Sequence, residues 1–401
     1  VIGVLMRAPR AGLVLAAVLG GAALLASAVG CSTAALLGTS RTPADVIAVT
    51  PGDGRGNVPV GRRIGVQVRS GRLESVRVMR YQDAQRYKVP GRVSADGLTW
   101  RPLGRGRLAT AARYTIDAVA LDGHGRRAAR HASFRTVVPD RRFIGYVTPE
   151  NRATVGTGMI VSLEFNRPIR DRAAVQRAVR VVSRPPVPVA PHWFGRSRLD
   201  FRPEHYWKPG TRVRVQLRLR DVAASPGVYG LQYKTIAFTV GRSQVSRVDA
   251  AAHTMQVRRD GRLIGTLPIT AGAPTSTTYN GKMVVSEMME VTRMDGRTVG
   301  FGGEYDIPDV PHAMRLTSSG TFLHGNYWAE GVFGTDNVSH GCVGLRDVKG
   351  GSSSTPAGWF FDRSLIGDVI EVVNSQDSQV DPGNGLSGWN MSWRQWRAGA
   401  V

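Results

Sequence analysis

Apolar and polar residues alternate with a period of two, in short runs, along most of this 401-residue chain. Ile64-Gly65-Val66-Gln67-Val68 and Val213-Arg214-Val215-Gln216-Leu217-Arg218-Leu219 each put apolar side chains on one face and polar ones on the other, a pattern that predicts half-buried strands. Glycine and proline clusters such as Lys208-Pro209-Gly210 separate the runs. With 48 glycines and 22 prolines, the chain is expected to be turn-rich β structure and not helical. The pattern also repeats. Leu98-Thr99-Trp100-Arg101-Pro102 is echoed by Leu199-Asp200-Phe201-Arg202-Pro203, and Phe134-Arg135-Thr136-Val137 by Phe238-Thr239-Val240, at a shift of 101 to 104 residues. An internal duplication is the direct reading.

Two Ig-like β-sandwiches of about a hundred residues each, 45–139 and 140–241, account for the repeat. Neither holds the inter-sheet cysteine pair of antibody domains, so packing alone must stabilise them. After Gly241 the pattern changes. Gln244–Val248, Thr254–Arg258 and Arg262–Pro268 read as strands, with Asp260-Gly261 a hairpin signal and Val369-Ile370-Glu371-Val372-Val373 a closing strand of a third, mixed β domain over 242–375. The Gly- and Met-containing stretch from Pro274 to Pro311 is expected to form a long lid. The tail 376–401 carries Trp389, Trp393 and Trp396 and is expected to fold back onto that third domain, because three exposed tryptophans would be an apolar liability. The fold class is therefore mainly β, two Ig-like sandwiches followed by a mixed β domain and a C-terminal extension.

The beginning of the sequence carries a different pattern. Arg7 and Arg10 precede a run from Ala11 to Gly30 without charge, closed by Ala28-Val29-Gly30-Cys31. This layout predicts a signal peptide over 1–31, with Cys31 as a lipidated mature end in the manner of a lipobox, or else a retained membrane anchor. Residues 32–44, rich in Ser, Thr and Ala, follow as a tether. The rest of the chain is expected outside the cytoplasm, at the outer face of the cytoplasmic membrane. Charge is uneven as well. Residues 1–241 carry 39 basic and 14 acidic groups, whereas residues 242–401 carry 14 and 16. A cationic front suits an anionic polymer or a membrane surface, and export argues against nucleic acid.

Once the export segment is set aside, Cys342 is the single remaining thiol. It has no partner for an internal disulfide, so it is a packing residue or a reagent. Its neighbourhood, Ser339-His340-Gly341-Cys342-Val343-Gly344-Leu345-Arg346, with His324 eighteen residues upstream, favours the reagent. Acyl transfer by a thiol needs a base and donors for the developing oxyanion. His324 would serve as base, with the Gly325 carbonyl orienting its other nitrogen. The amides of Gly341 and Cys342 would face the oxyanion, and His340 would shape the loop.

Ser339-His340-Gly341-Cys342, preceded by His324 with fourteen residues between, resembles the signature of the YkuD-type L,D-transpeptidases. Asp309-Val310-Pro311-His312, Ser319-Gly320-Thr321-Phe322-Leu323-His324-Gly325, Trp328, Gly388-Trp389-Asn390 and Trp393-Arg394-Gln395-Trp396-Arg397 are similar to further family blocks, and tandem Ig-like domains are similar to an exported, membrane-anchored subgroup. The resemblance implies that Cys342 attacks the third residue of a peptidoglycan stem tetrapeptide, releases the terminal D-alanine, and passes the acyl group to an acceptor stem as a 3→3 cross-link, with no cofactor and no metal. It places Tyr305, Met288, Met289, Trp328, Ser339, Gly344 and Arg346 around the substrate, and it makes acylation by carbapenems an expectation. The chain departs from the family pattern at Gly344, where asparagine is common, at Gly325, where some relatives have serine, and at Ser318, where an aromatic residue is common. Three alternatives stand beside this reading: a zinc site from His312, His324, His340 and Cys342, a wall-peptide cysteine carboxypeptidase, and a wall-binding lipoprotein with a weak catalytic domain.

Overall fold

A computed structural model describes residues 46–104, 106–298 and 302–401. The expected export segment 1–31 with Cys31 and the tether 32–44 lie outside the described residues. Among the described residues no helix is long and apolar enough to cross a membrane.

Strands Ile47–Thr50, Gly65–Val68, Thr99–Pro102 and Gly91–Val93 form one sheet of the first sandwich, and Arg55–Val58, Arg127–Thr136, Arg113–Leu121, Arg72–Gln82 and Gln85–Lys88 the other. The second sandwich repeats the plan with Gly145–Thr148, Val161–Phe165, Arg198–Pro203 and Val189–Phe194 facing Thr154–Val155, Tyr233–Val240, Arg212–Arg218 and Val179–Arg184. The repeated sequence motifs fall in equivalent strands. Trp100 and Phe201 sit in the third strand of their sheets, Phe134 and Phe238 in the second strand of the opposing ones, and all four side chains are buried. Alternation sets the faces: in Arg212–Arg218, Val213, Val215 and Leu217 point into the core while Arg212 and Arg214 face solvent.

The third domain is built on a nine-stranded sheet in the order Gly281–Val284, Val369–Val373, Gln244–Asp249, Thr254–Arg259, Arg262–Thr270, Val343–Arg346, Phe322–Asn326, Asp306–Arg315 and Glu287–Asp295. Asp260 and Gly261, both at positive φ, make the two-residue turn between Arg259 and Arg262. Val343–Arg346 and Phe322–Asn326 run parallel at mid-sheet. Helix Pro356–Phe361, capped by the Thr355 side chain, presses Ala357 and Phe360 into a core shared with Leu323, Val343 and Leu345.

Two expectations change here. The Pro274–Pro311 stretch is not one lid: half of it is strand, including a long hairpin of Glu287–Asp295 against Asp306–Arg315. Its period-two pattern is masked because both faces of the outer strand are partly buried, Met288 on one and Met289 on the other. The C-terminal extension, expected on the third domain, divides: its first part packs there, with Val380 in that domain's core, and its tryptophan-bearing end packs into the second sandwich. Trp396 is fully buried in that sandwich's core, with its ring 4.8 Å from His192 and its indole N–H donating to Ala190 O at 3.0 Å. The Trp389 N–H donates to Gly158 O at 2.7 Å. Buried Arg202 lies among the tryptophans, its guanidinium 4.6 Å from both the Trp389 and Trp396 rings and donating to Met391 O at 2.8 Å. Burial lowers its pKa to about 10. On the third domain, Asn280 exchanges backbone hydrogen bonds with Ser378 and Val380, Thr277 donates to Asp377 at 2.9 Å, the Asn390 amide exchanges hydrogen bonds with the backbone of Lys282, and Asn384 meets Ser318 and Ser319.

The second sandwich also joins the third domain directly. Gly156 and Gly158 donate to Ile366 O and Gly367 O, and a Cβ on Gly156 would lie 2.5 Å from the Asp368 backbone nitrogen. Val284 of the third domain belongs to the second sandwich's core cluster. The first sandwich has a core of its own and meets the second through Thr110 and Arg142, which converge on Asp221.

Candidate active site

Cys342 immediately precedes the strand Val343–Arg346, opposite Phe322 in the parallel pair. Leu323 faces Val343 and both point into the main core, so Phe322, His324, Cys342 and Gly344 share the other face. The His324 ring and the sulfur thus stand on one face of adjacent strands, about 5 Å apart across the ladder and about 7 Å along it at the backbone, within reach of each other's side chains. Both are buried, at 5% and 9% exposure.

The thiol receives the Phe322 N–H at 3.4 Å and donates to Gly320 O at 3.7 Å. Burial pushes its pKa up to about 11, against a smaller lowering by that N–H. His324 donates through Nδ1 to Gly325 O at 2.8 Å, which leaves Nε2 unprotonated and able to accept. Burial lowers the His324 pKa, with the Gly325 carbonyl opposing. At rest the pair is a neutral thiol beside a neutral imidazole. Trp328, 41% exposed, lies parallel to the His324 ring at 5.7 Å.

The loop before the cysteine is held by Ser339. Its hydroxyl donates to Cys342 O at 2.6 Å and accepts from Gly341 N at 3.2 Å, while its backbone pairs with Ala271 and Ala273. Gly341 has φ 104°, a conformation that L side chains rarely adopt. Its amide is therefore committed to the Ser339 hydroxyl, a correction to its expected oxyanion role. The Cys342 N–H takes no acceptor among the described residues. His340 Nε2 lies 3.1 Å from Glu304 Oε2 and its ring 5.1 Å from Tyr305, so it ties the loop to the tip of the long hairpin.

That hairpin packs beside the sulfur. Met289, Tyr305 and Ile307 pack on the cluster of Met294, Val310, Ala313, Phe322 and Cys342. Burial first, and the nearby Cys342 second, raise the Tyr305 hydroxyl to about 12, so it is a phenol hydrogen-bond donor at neutral pH. Met288, one residue out of phase, packs into the main core, and the structure separates it from the site. Gly344 is buried, and a Cβ there would lie 2.9 Å from Thr270 Cγ2, so it offers no group to a substrate. Arg346 is exposed at the far end of the strand, four residues from Cys342.

One feature has no local sequence signal. His312, at φ 48° and buried, donates from Nδ1 to Asp347 Oδ2 at 2.6 Å. The other Asp347 oxygen accepts from Val348 N at 2.8 Å and Thr355 Oγ1 at 2.9 Å. A Cβ on Gly325 would lie 2.2 Å from Asp347 Oδ2. This buried pair therefore backs the peptide whose carbonyl orients His324. With His312 turned to Asp347, the four side chains of the zinc alternative do not converge, and among the described residues no group of three or more His, Cys, Asp or Glu is arranged to hold a metal.

The geometry agrees with comparison to known proteins. The profile of the L,D-transpeptidase catalytic domain (YkuD) matches residues 243–372, and that of a bacterial Ig domain matches residues 55–223. L,D-transpeptidase 2 of Mycobacterium tuberculosis is 34% identical over 355 residues, covering 86% of this chain and 83% of that protein. The chain belongs to the L,D-transpeptidases. L,D-transpeptidase 5 of the same species is 27% identical across 88% of this chain and 76% of its own length. An LD transpeptidase solved in complex with imipenem is 30% identical over 59% of this chain and all of its own, with a TM-score of 0.48. This L,D-transpeptidase thus carries the mainly β architecture of its family, with Ig-like and catalytic parts in that order.

Proposed function

We propose that this L,D-transpeptidase forms 3→3 peptidoglycan cross-links through a thioester on Cys342. The observation that carries the reading is a buried sulfur sharing one strand face with a neutral imidazole whose Nδ1 is already engaged by Gly325 O. His324 Nε2 takes the thiol proton as sulfur bonds to the carbonyl carbon of the third stem residue. The Cys342 amide is the donor available to the oxyanion, and the Tyr305 phenol packs on the same cluster as the sulfur. Collapse breaks the carbon–nitrogen bond and returns the proton to the leaving D-alanine amine. The side-chain amine of an acceptor stem then attacks the thioester, loses a proton to His324, and frees the thiol. Met289, Trp328 and Tyr305 line the pocket, and Ser339 and His340 hold its floor. By likeness to the imipenem complex, carbapenems acylate the same sulfur.

The remaining assignments belong to the same proposal. The enzyme is exported and tethered at the outer face of the cytoplasmic membrane, through a lipidated Cys31 or a retained anchor, with its basic sandwiches against anionic wall polymer. The deciding experiment is intact-mass analysis of wild type and Cys342→Ala after incubation with a disaccharide-tetrapeptide, with and without an acceptor amine. An adduct that appears only on wild type and resolves to cross-linked product is expected. Tripeptide as the sole product would make the protein a carboxypeptidase, and an unmodified Cys342 in folded protein would make it a binding lipoprotein.

A further inference from the structure

The positive charge of the two sandwiches is equal in amount and unequal in arrangement. Residues 45–139 and 140–241 each carry 18 basic and 7 acidic groups. In the first sandwich, however, a cleft of about 860 Å³ opens where the Arg72–Gln82 and Gln85–Lys88 hairpin meets the Thr99–Pro102 strand and the loops on either side. Arg62, Arg63, Arg80, Lys88, Arg101 and Arg107 line it, and among the described residues no Asp or Glu does. None of the six has a carboxylate partner among the described residues, whereas Arg126 and Arg127 of the same domain pair with Asp122 and Glu74.

Arg80 is the most constrained of the six. It is half-buried, its guanidinium lies 4.2 Å over the Tyr87 ring, and its buried Nε–H has no partner. A buried donor without an acceptor costs stability unless something outside the chain satisfies it. The other five are exposed and surround the same hollow. Holding six like charges around one concavity is unfavourable for the free protein and favourable for a bound polyanion.

We propose that this cleft is a binding site for a segment of a linear polymer bearing regularly spaced oxyanions, phosphate or carboxylate. Guanidinium forks suit both groups. The hollow is concave, so a strand fits into it where a flat bilayer would touch only its rim. The site deepens the reading that the basic front holds the enzyme against wall polymer, and places that contact in one domain.

The test uses the chain from residue 32 onward and measures binding to inorganic polyphosphate and to polygalacturonate, which separate the phosphate from the carboxylate source. The cleft variant is Arg63→Glu/Arg101→Glu. A matched control, Arg180→Glu/Arg214→Glu, reverses exposed charges on the second sandwich. The cleft variant is expected to lose about tenfold or more in affinity for at least one polymer, and to show a salt slope shallower by about two, while the control stays within about twofold. Equal losses in both variants would reduce the effect to overall charge and overturn the site. Orthophosphate competing as well as polymer, or tighter binding to phosphatidylglycerol vesicles or duplex DNA than to either polymer, would overturn the polymer assignment. Thermal melting verifies that both variants fold. Carbapenem acylation of Cys342 is expected to be unchanged in both, so a failed cleft leaves the catalytic reading standing.

Discussion

Single residues at the catalytic centre make two predictions. Because burial raises the Cys342 thiol to about 11, the free enzyme holds it protonated at neutral pH, and the base has to remove the proton as substrate arrives. Iodoacetamide alkylation of Cys342, followed by intact mass in a Cys31-free chain, should therefore keep accelerating beyond pH 9, where an ordinary thiol would level off. A plateau near neutrality would indicate a resting thiolate and contradict the neutral pair. Lowering of the His324 pKa has the complementary sign: imidazole stays unprotonated until the pH is below 6.5, so carbapenem acylation should decline only on that acid side. The second prediction concerns the pair behind the base. His312→Ala removes the 2.6 Å hydrogen bond to a buried carboxylate and should cost about 1.5–3 kcal/mol of stability. Gly325→Ala should cost about 1–3 kcal/mol by forcing a Cβ onto Asp347. Both should slow acylation about tenfold to a hundredfold if the Gly325 carbonyl orients His324, because a base displaced by about 1 Å loses that much. Denaturant melts paired with acylation rates check this. Lost stability with intact acylation would confine the pair to a structural role.

At the scale of elements, the Ser339–Cys342 loop works as one part. Gly341→Ala puts a side chain at φ 104° and should cost about 1–3 kcal/mol, while Ser339→Ala releases both the Gly341 N–H and the Cys342 carbonyl. Ser339→Ala should slow carbapenem acylation more than it lowers the melting midpoint, since it loosens the strand-entry turn that aims the sulfur; equal rates in mutant and wild type would sink that role. Gly341 was legible in the sequence as a turn residue, whereas the Ser339 hydrogen bonds that hold the turn were not, since the family resemblance placed Ser339 at the substrate. The duplicated sandwiches were legible as well: alternating Val213, Val215 and Leu217 announce their inward face. What the sequence hid is long-range. Nothing near His312 points to Asp347 thirty-five residues on, and nothing in Met288-Met289 says which of the two faces the cysteine, because only the register against Ala313 and Met314 decides it. The lid was misjudged for a related reason: an outer strand that half-buries Met288 on one face and Met289 on the other loses the alternation by which strands are recognised.

For the whole molecule, the C-terminal extension determines which parts unfold together. The tryptophans were expected against the catalytic domain, and the apolar character of the tail correctly demanded burial, but composition cannot choose between two neighbouring surfaces. The second sandwich supplies what Trp396 needs: His192 and Phe194 rings at 4.8 and 6.0 Å and the Ala190 carbonyl for its N–H. Since the same tail bonds Lys282 through Asn390, and Val284 enters the sandwich core, second sandwich and catalytic domain share buried surface, while among the described residues the polar contacts of the first sandwich with its neighbour converge at Asp221. Unfolding should therefore proceed in two cooperative steps, with the first sandwich separate and the other two parts melting together. Trp396→Ala removes a fully buried side chain and should destabilise the joint unit by about 3–5 kcal/mol while leaving the first sandwich's transition in place. Calorimetry of wild type and variant, with carbapenem-acylated enzyme to mark the catalytic transition, makes the test. If acylation raises only one of three resolved transitions, or if Trp396→Ala shifts the first sandwich as much as the rest, the shared core does not govern how this enzyme comes apart.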